Sequence, residues 1–422
     1  MIFVSIASYR DPETKPTILD LLSKAKNPGN ISIGVCLQNE LEDMLLDIKH
    51  EKLKILNFNW RESQGTCWAR HNIQKLLYDN EKYYFQIDSH HRFCENWDEW
   101  LIETIEQLRS NYAKPIIGGY CPSYKPDKDT NLEDRPMRIH AFADFSDLGD
   151  LMFSPKVIKD FQLLRNNNIS TIPARFLSGH FIFADSAFIK ECPYDPNLYF
   201  RGEELSLSAR AYTSGYDLFH PVKPIVWHEY TRPKQRKHWI DHTSENGFIK
   251  TWKDRANSAK ARARYLLGIE NNNKINFGKY GLGTERTLHD YELYAGLKFA
   301  TKQVHKYAYD TNNVYPNARV LTEDEWSSGL MKKYKVLVLF DQSYTKELKS
   351  NKDIKHITLI FHGANNDVCY RKDIRRPDIQ KLSDKLYLEV SMENTPYQVF
   401  VRPQLENNTY LNKVQLHHKL YE

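Results

Sequence analysis

Short apolar runs alternate with helical patterns through the first half of the chain. β-branched and aromatic residues cluster in four runs that predict strands, at residues 2–7, 31–37, 54–58 and 83–87. Apolar residues at helical spacing predict helices between them, at residues 16–26 and 66–78. Strands and helices that alternate in this way form a mainly parallel sheet covered by helices, so we predict an α/β domain with ligand groups at the carboxyl ends of its strands.

The pattern changes near residue 330, where β-rich runs are separated by charged loops. A chain of 422 residues is also too long for one ordinary core. We therefore predict a main domain over residues 1–300, a connecting segment over residues 301–329 and a small antiparallel β-rich accessory domain over residues 330–422. Within the predicted main domain, a polar loop at residues 121–135 is a candidate wall of an acceptor groove.

Charge and cysteine content narrow the function only slightly. The net charge of +5, from 59 basic and 54 acidic residues, can favour an anionic ligand but does not require nucleic acid, and we expect no nucleic-acid partner. The six cysteines are widely spaced and include no CxxC pair, so we expect reduced thiols and no structural zinc site.

The start of the chain resembles a first strand rather than a targeting segment. It has no basic leader followed by a long apolar stretch, and no run approaches the roughly 18 apolar residues of a spanning helix. We therefore expect a cytoplasmic protein without a transmembrane segment. The sequence leaves the oligomeric state open.

Two apolar runs end in metal-ligand residue types. The strand of residues 83–87 continues into Asp88 and His90, which an extended backbone would point to the same side. Residues 224–227 form a second apolar run before His228. A carboxylate oxygen and two imidazole nitrogens suit Mn(II), so we predict that these three residues bind Mn(II) or another divalent cation and leave positions open for phosphate oxygens.

Each of these motifs also has a structural explanation. Polar residues commonly close a strand, and a lone histidine such as His228 is more often structural than a ligand. His91 is an alternative ligand, although a continuing strand would turn its side chain to the opposite face.

A concentrated cationic stretch, Arg232-Pro-Lys-Gln-Arg236-Lys-His238, follows the second candidate ligand. Cations held where negative charge develops stabilise a leaving group, and this stretch could form a mobile lid over a diphosphate. The alternative is a solvated surface loop. Its position directly after His228 favours the lid.

A glycine and two acids, Gly202, Glu203 and Glu204, open a predicted helix over residues 203–213. The helix dipole favours carboxylates there, which is a sufficient structural explanation, but one of them could also hold sugar or acceptor hydroxyls. Adjacent helical side chains diverge by about 100°. The two acids are therefore poorly placed as the facing carboxylate pair of a glycosidase.

Gly65 and Arg70 lie at the entry of another predicted helix. The glycine can bring the backbone close to a ligand, and the arginine one turn into the helix could contact a phosphate or a uracil carbonyl. Neither a Walker motif nor a dinucleotide fingerprint is present.

Taken in order, these motifs resemble those of the polypeptide hydroxyproline N-acetylglucosaminyltransferases and their bacterial and viral relatives. They are also distantly similar to mucin-type polypeptide N-acetylgalactosaminyltransferases. The likeness covers about residues 1–300. It is carried by residues 6–12, Gly65 with Ala69 and Arg70, residues 86–90, 118–120, 178–180 and 202–204, Trp227 with His228, and residues 280–286.

The resemblance implies a GT-A fold, UDP-N-acetylglucosamine (UDP-GlcNAc) as donor, a divalent cation, usually Mn(II), and retention of anomeric configuration. It implies that Asp88, His90 and His228 are the metal ligands. The residues expected to bind the nucleotide sugar are Ser8, Tyr9, Arg10, Gly65, Arg70, Asp88, Gly179 and Arg236. The candidates for a catalytic role beside the transferred sugar or the acceptor are Glu204, Glu203 and His180.

The implied reaction needs no protein nucleophile. The acceptor hydroxyl approaches the face of the sugar from which UDP leaves, and the departing phosphate receives its proton. Glu204 is then the first candidate for a direct catalytic role. The acceptor stays open between a hydroxyproline, serine or threonine hydroxyl of a protein and a hydroxyl of a glycan.

Two other function classes fit parts of the sequence. A non-haem iron oxygenase also uses two histidines and one acid, but its local order is His-x-Asp and its fold an antiparallel jelly roll. A non-catalytic carbohydrate-binding protein could use the terminal β-rich domain and the chain's abundant tyrosine and tryptophan side chains as a platform for a sugar.

Overall fold

The structure is a computed structural model. It describes residues 1–40, 46–126, 128, 132, 135–146, 149–158, 161–232, 235–271, 275–309, 322–392 and 394–421. The chain divides into two compact units, one built chiefly from Met1–Ala295 and the other chiefly from Leu321–Glu422. The two predicted boundaries, after residues 300 and 329, stay predictions. Residues 310–321 of the predicted connecting segment, and parts of the predicted acceptor loop, lie outside the described residues.

The first unit alternates strands and helices. Its strands are β1 Ile2–Tyr9, β2 Ile31–Asn39, β3 Leu53–Asn59, β4 Tyr83–Asp88, β5 His91–Phe93, β6 Pro115–Gly118, β7 Arg138–Phe145, β8 Leu151–Val157, β9 Thr171–Pro173, β10 Phe181–Asp185, β11 Asp217–Pro221 and β12 Val226–His228. Its helices are α1 Thr14–Lys24, α2 Thr66–Leu76, α3 Trp97–Arg109, α4 Phe161–Asn166, α5 Ala187–Glu191, α6 Glu203–Thr213, α7 His238–Asp241, α8 Trp252–Leu266 and α9 Leu288–Ala295.

Eight of these strands form one sheet in the order β3-β2-β1-β4-β10-β6-β11-β9. The neighbours from β3 to β4 are parallel, as are β6 and β11. β10 runs antiparallel to both of its neighbours, and β9 runs antiparallel to β11. The predicted α/β class with a mainly parallel sheet is confirmed, whereas the reversed direction of β10 was not predicted.

The sheet is buried on both faces because β1 alternates its side chains between two helical layers. Ile2, Val4 and Ile6 belong to a core that includes side chains of α1 and α3. Phe3 belongs to a second core, on the other face, with Ile73 of α2. Burying each such side chain contributes roughly 1.5–3 kcal/mol, so the strand ends that carry the polar motifs are fixed by packing on both sides.

The second unit is an antiparallel β structure. Its strands are β13 Leu297–Lys298, β14 Gln303–His305, β15 Leu330–Leu339, β16 Ile354–His362, β17 Val368–Arg375, β18 Lys385–Met392, β19 Gln398–Leu405 and β20 Val414–Tyr421. Short helices accompany them: α10 Lys306–Tyr309, α11 Glu323–Ser328, α12 Gln342–Ser350 and α13 Arg376–Ile379. Every strand pair in this unit is antiparallel, which confirms the β-rich character predicted for this region.

The segment Tyr280 to Arg286 packs against the end of α6 and the start of β11. Arg210 donates to the carbonyls of Lys279 and Gly281, each at 3.2 Å. Gly283 donates its N–H to the Thr213 hydroxyl at 2.8 Å, and Arg286 pairs with Asp217 on β11. These contacts give this segment a structural role in the domain.

No helix among the described residues is both long and apolar enough to cross a membrane.

We predict that Gly283→Ala destabilises the protein by about 1–3 kcal/mol, the usual cost of overpacking. A Cβ at residue 283 would lie 2.4 Å from the Ser214 nitrogen and 2.5 Å from the Thr213 carbonyl carbon, and backbone cannot easily yield. The measurement is urea unfolding. Gly29→Ala is the matched control, because nothing lies within 4 Å of a Cβ there. Equal unfolding free energies for the two variants would contradict the packing described.

Candidate active site

A cavity of about 540 Å³ opens at the carboxyl ends of β1 and β4. Parallel strands end at the same edge of a sheet, so the loops that follow them meet there. The cavity contains most of the predicted site residues. Those that line it are Tyr9, Arg70, Asp88, His90, Gly179, His180, Glu203, Glu204, His228 and Arg236.

Asp88, His90 and His228 converge in this cavity. The Nε2 atoms of the two histidines are 3.0 Å apart, and Asp88 Oδ2 lies 3.3 Å from the His228 nitrogen and 3.7 Å from the His90 nitrogen. One ligand atom from each residue therefore lies within 4.8 Å of the others. The structure brings together the three side chains that the sequence singled out, which makes this a candidate metal site.

A bend in the chain causes this convergence. The predicted continuation of the strand through His90 is wrong, because β4 ends at Asp88 and β5 begins only at His91. β5 pairs with β12 in a short antiparallel ribbon that places His91 opposite His228. Glu229, the next residue, donates its N–H to the His90 carbonyl at 3.1 Å. The ribbon thus holds His228 beside His90 despite the long separation in sequence.

Asp11, in the loop after β1, orients His90. Its Oδ2 lies 2.7 Å from His90 Nδ1 and also accepts a hydrogen bond from the Ser89 hydroxyl, while its Oδ1 accepts from the Glu13 N–H. When His90 donates from Nδ1, its Nε2 keeps a lone pair directed at the site. Burial lowers the pKa of His90 to about 3, which keeps its ring neutral and able to bind a cation.

The aspartate of the site is held by a buried arginine. Arg70 donates from Nη2 to Asp88 Oδ1 at 2.6 Å and from Nη1 to Glu203. Burial opposes ionisation of Asp88, but the hydrogen bond from His228 and the charge of Arg70 hold the pKa of Asp88 well below its usual range. Asp88 is therefore a carboxylate whose second oxygen, Oδ2, faces the two histidines.

Glu203 and Glu204 point to different partners, as their helical spacing predicts. Glu203 is buried and accepts hydrogen bonds from Arg70 and from the Tyr194 hydroxyl. Gly179 packs closely against this pair, since a Cβ there would lie 2.7 Å from Glu203 Oε1 and 2.8 Å from Arg70 Nη1. Glu203 is thus a structural partner of Arg70, and its predicted catalytic role stays a prediction.

Glu204 is the acid that faces the cavity. Its Oε1 accepts from the Gly179 N–H at 2.9 Å and from the Ser178 hydroxyl at 3.3 Å, and 28% of its side chain is exposed. Burial raises the pKa of Glu204 to about 7. A carboxyl that titrates near neutrality can accept or return a proton at physiological pH.

His180 is neutral and fully hydrogen-bonded. Its Nδ1 contacts the Ser178 hydroxyl at 3.1 Å, and its Nε2 accepts from the Cys121 N–H at 3.2 Å. Burial holds the pKa of His180 well below its usual range. These contacts fix its ring against that of His228, at a centroid distance of 4.6 Å, and its predicted catalytic role stays a prediction.

Three residues predicted to bind the nucleotide sugar have structural partners and do not line the cavity. Ser8 is fully buried, and its hydroxyl contacts that of Thr14 at 2.7 Å. Arg10 pairs with Asp241. Gly65 has a φ of 104°, and a Cβ there would lie 2.3 Å from the Tyr199 carbonyl oxygen, so the close approach predicted for a ligand is made by the protein backbone.

The cationic stretch after His228 borders the cavity. Arg232, Arg236 and Lys237 all line it, and the Arg236 side chain is 62% exposed. Pro233 and Lys234 lie outside the described residues. The lid function of this stretch stays a prediction.

Two residues at the site were missed as site residues in the sequence. Asp11 lies within the motif of residues 6–12. Its position directly after β1, the parallel neighbour of β4, could have indicated that it reaches the site. His140 on β7 lines the cavity and has its Nδ1 3.7 Å from Glu204 Oε2. No local motif marks His140, because its neighbourhood is created by the packing of β7 on the sheet.

A family comparison matches the segment that forms this site. The sequence profile of the family described as Glycosyltransferase (GlcNAc) matches residues 1–49 and 45–301. The chain belongs to this glycosyltransferase family. The profile does not single out members specific for hydroxyproline, so that part of the resemblance stays a prediction. No curated protein matches the chain.

Several solved structures are similar to the chain at low identity. The crystal structure of S. aureus TarS 1-349 shares 13% identity with a TM-score of 0.33 over 54% of this chain, and the chain spans only 60% of TarS 1-349. The complex of that protein with UDP-GlcNAc shares 11% identity with a TM-score of 0.37 over 64% of this chain and 67% of the other. GalNAc-T7 with UDP, GalNAc and Mn2+ shares 11% identity with a TM-score of 0.44 over 99% of this chain and 72% of the other.

We predict that Glu204→Gln changes how stability depends on pH. Because the folded pKa of about 7 exceeds the ordinary value of 4.5, the folded protein retains a proton that the unfolded chain releases, and the wild type loses stability as pH rises between these values. The variant does not titrate there, so its unfolding free energy relative to wild type should increase by on the order of 2 kcal/mol from pH 5 to pH 8.

Urea unfolding at a series of pH values measures this difference. Glu103→Gln, at an exposed residue of α3, is the control and should follow the wild type. If the difference in unfolding free energy between Glu204→Gln and wild type does not change with pH, the Glu204 carboxyl has its ordinary pKa.

Proposed function

We propose that the protein transfers N-acetylglucosamine from UDP-GlcNAc to an acceptor hydroxyl in a reaction that depends on a divalent cation, preferably Mn(II). The observation that carries this proposal is the convergence of Asp88, His90 and His228 in a cavity formed by the segment that matches the family profile. Membership of the glycosyltransferase family supports the reaction class, and the family's description supports N-acetylglucosamine as the sugar. The three converging side chains support a cation that would hold the diphosphate.

The three side chains suit a divalent cation. Both histidines are kept neutral by burial, so their nitrogens can donate lone pairs. His228 Nδ1 is buried without a hydrogen-bond partner. A cation at Nε2 would replace the hydrogen bond from Nε2 to Asp88, with the ring hydrogen then on Nδ1. When bound, the cation would neutralise charge on the diphosphate and improve UDP as a leaving group.

We assign the nucleotide to the side of the cavity near Tyr9 and the cationic stretch. Arg232, Arg236 and Lys237 provide positive charge for the diphosphate, and Tyr9 provides an aromatic ring at the end of β1. Arg70 is better explained as a positioning residue, because its terminal nitrogens already bind Asp88, Glu203 and Tyr194. Its effect on the nucleotide would act through Asp88.

In the proposed reaction, the acceptor oxygen forms a bond to the anomeric carbon as the bond from that carbon to the phosphate oxygen of UDP breaks. The acceptor proton passes to the departing phosphate, and the configuration at the anomeric carbon is retained. Glu204 is the chain's own group best suited to hold the acceptor hydroxyl. Its second oxygen faces the cavity and its pKa is matched to neutral pH.

The two alternative classes fit the structure less well. An iron oxygenase would place the histidines and the acid in an antiparallel jelly roll, whereas here they lie at the edge of a mainly parallel sheet. A non-catalytic carbohydrate-binding protein would not need a partly buried carboxylate and two neutral imidazoles around one point. It predicts sugar binding without turnover of a UDP-sugar.

The test is release of UDP from a panel of UDP-sugars with Mn(II). We predict that UDP-GlcNAc is the preferred donor and that EDTA abolishes the reaction. Asp88→Ala and His228→Ala should each lower the rate by more than the roughly 10–100-fold typical of losing an outer partner of a metal site, because each removes a ligand.

His289→Ala, at a half-exposed histidine of α9, serves as the matched control and should keep wild-type activity. Circular dichroism should show all variants folded. UDP release by Asp88→Ala or His228→Ala at the wild-type rate would reject the assigned site, and no UDP release by the wild type would reject the enzyme.

The anomeric configuration of the product gives a separate prediction. Front-face transfer from the α-linked donor should give an α-linked product, visible from the small coupling constant of the new anomeric proton in NMR spectra. A β-linked product would show that the configuration inverts, and would make Glu204 a general base rather than a holder of the acceptor hydroxyl.

A further inference from the structure

One wall of the cavity is not used by the proposed binding of UDP and a cation. It contains His140 on β7, Glu204 at the start of α6, and the aromatic rings of Tyr120 and Phe153. Only 5% of His140 is exposed, yet its Nδ1 has no hydrogen-bond partner in the protein. A buried polar atom without a partner costs free energy unless a ligand or a movement of its neighbours satisfies it.

The hydrogen of the His140 ring can be placed from its contacts. The Leu177 backbone hydrogen-bonds the imidazole and acts to raise its pKa, which identifies a carbonyl oxygen as the acceptor. Because Nδ1 has no partner, the donating nitrogen is Nε2. Burial nevertheless lowers the pKa of His140 to about 3, so the ring is neutral and Nδ1 presents a lone pair.

Once Glu204 is ionised, above its pKa of about 7, His140 Nδ1 and Glu204 Oε2 form a pair of hydrogen-bond acceptors 3.7 Å apart. Glu204 Oε1 is already occupied by the Gly179 N–H and the Ser178 hydroxyl, which leaves Oε2 for a ligand. Two adjacent acceptors repel each other when nothing lies between them. A ligand with two neighbouring O–H groups would satisfy both.

Aromatic rings surround this pair. His140 stacks on Phe153 with ring centroids 4.7 Å apart and 14° between the planes, and Tyr120 lies 4.8 Å from the His140 ring. Tyr120 in turn stacks on Tyr230 at 5.0 Å and 9°. Flat aromatic faces beside hydrogen-bond acceptors suit the apolar face and the hydroxyls of a sugar ring.

Three of the charged residues that line the cavity, Asp150, Lys260 and Arg264, form ion pairs. Asp150 pairs with Lys260 at 2.9 Å and with Arg264 at 2.8 Å, and Arg264 also pairs with Glu270 at 2.7 Å. These ion pairs leave little free charge for a charged ligand. An uncharged ligand is therefore favoured.

The geometry points to a saccharide acceptor that presents two adjacent hydroxyls, one to Glu204 Oε2 and the other to His140 Nδ1. This inference rests on the proposed transferase function and names its acceptor class. A hydroxyproline, serine or threonine side chain has one hydroxyl. It would leave either Glu204 Oε2 or His140 Nδ1 without a hydrogen bond, which is costly in a buried site. Preferential transfer of the sugar to a polypeptide is therefore one of the results that the test can give.

The experiment compares wild type with His140→Phe, which removes the ring nitrogens but keeps an aromatic ring of similar shape. Acceptors are methyl hexopyranosides, their 3-deoxy and 4-deoxy analogues, and a hydroxyproline peptide, each with UDP-GlcNAc and Mn(II). We expect wild type to favour an intact diol over its deoxy analogue by about tenfold or more, and His140→Phe to lose that preference. His289→Phe is the control and should keep it.

Binding measurements separate this inference from the proposed function. Saturation-transfer NMR without donor should show the intact methyl glycoside bound to wild type and to His289→Phe but released from His140→Phe, whether or not the protein turns over UDP-GlcNAc. Calorimetry should show equal UDP affinity in all three proteins.

Three results would overturn the inference. The first is transfer to the peptide in preference to every saccharide. The second is equal saccharide binding, or no saccharide binding, by wild type and His140→Phe. The third is a lower affinity of His140→Phe for UDP-GlcNAc with unchanged saccharide binding. That result would show that His140 and Glu204 bind the donor sugar.

Discussion

A single buried guanidinium joins the parts of this site. Arg70 on α2 is only 2% exposed and binds Asp88 at the end of β4, Glu203 at the start of α6 and the hydroxyl of Tyr194. Breaking such a network by removing one partner typically costs about 3–5 kcal/mol, because the remaining charges stay buried and unpaired. The arginine fixes one oxygen of Asp88 and so directs the other towards His90 and His228.

The sheet positions the remaining groups around this anchor. β1 and β4 are parallel neighbours, so the loops after them lie side by side, and Asp11 from one loop orients His90 in the other. The β5–β12 ribbon then adds His228. A second anchor, Gly179, fits closely against Glu203 and Arg70 while its N–H holds Glu204 at the cavity. The candidate metal ligands and Glu204 thus share one hydrogen-bonded frame.

Much of this arrangement could be predicted from local sequence. Regular apolar runs located the strands, and a carboxylate and two imidazoles at strand ends identified Asp88, His90 and His228. Features that depend on packing could not be predicted. The bend at Ser89 and His90, the reversed direction of β10 and the unpaired nitrogen of His140 all result from contacts between distant segments. Gly65 was predicted to let the backbone approach a ligand, whereas the group beside it is the Tyr199 backbone. A sequence does not show which group packs against a glycine.

We propose that Asp88 Oδ2, His90 Nε2 and His228 Nε2 bind one divalent cation that in turn holds a diphosphate. Crystals grown with Mn(II) and UDP, measured at the manganese absorption edge, test it directly. We predict one anomalous peak at about 2.0–2.3 Å from all three atoms, with diphosphate oxygens completing the coordination. A diphosphate bound in this cavity without an anomalous peak beside these side chains would contradict it.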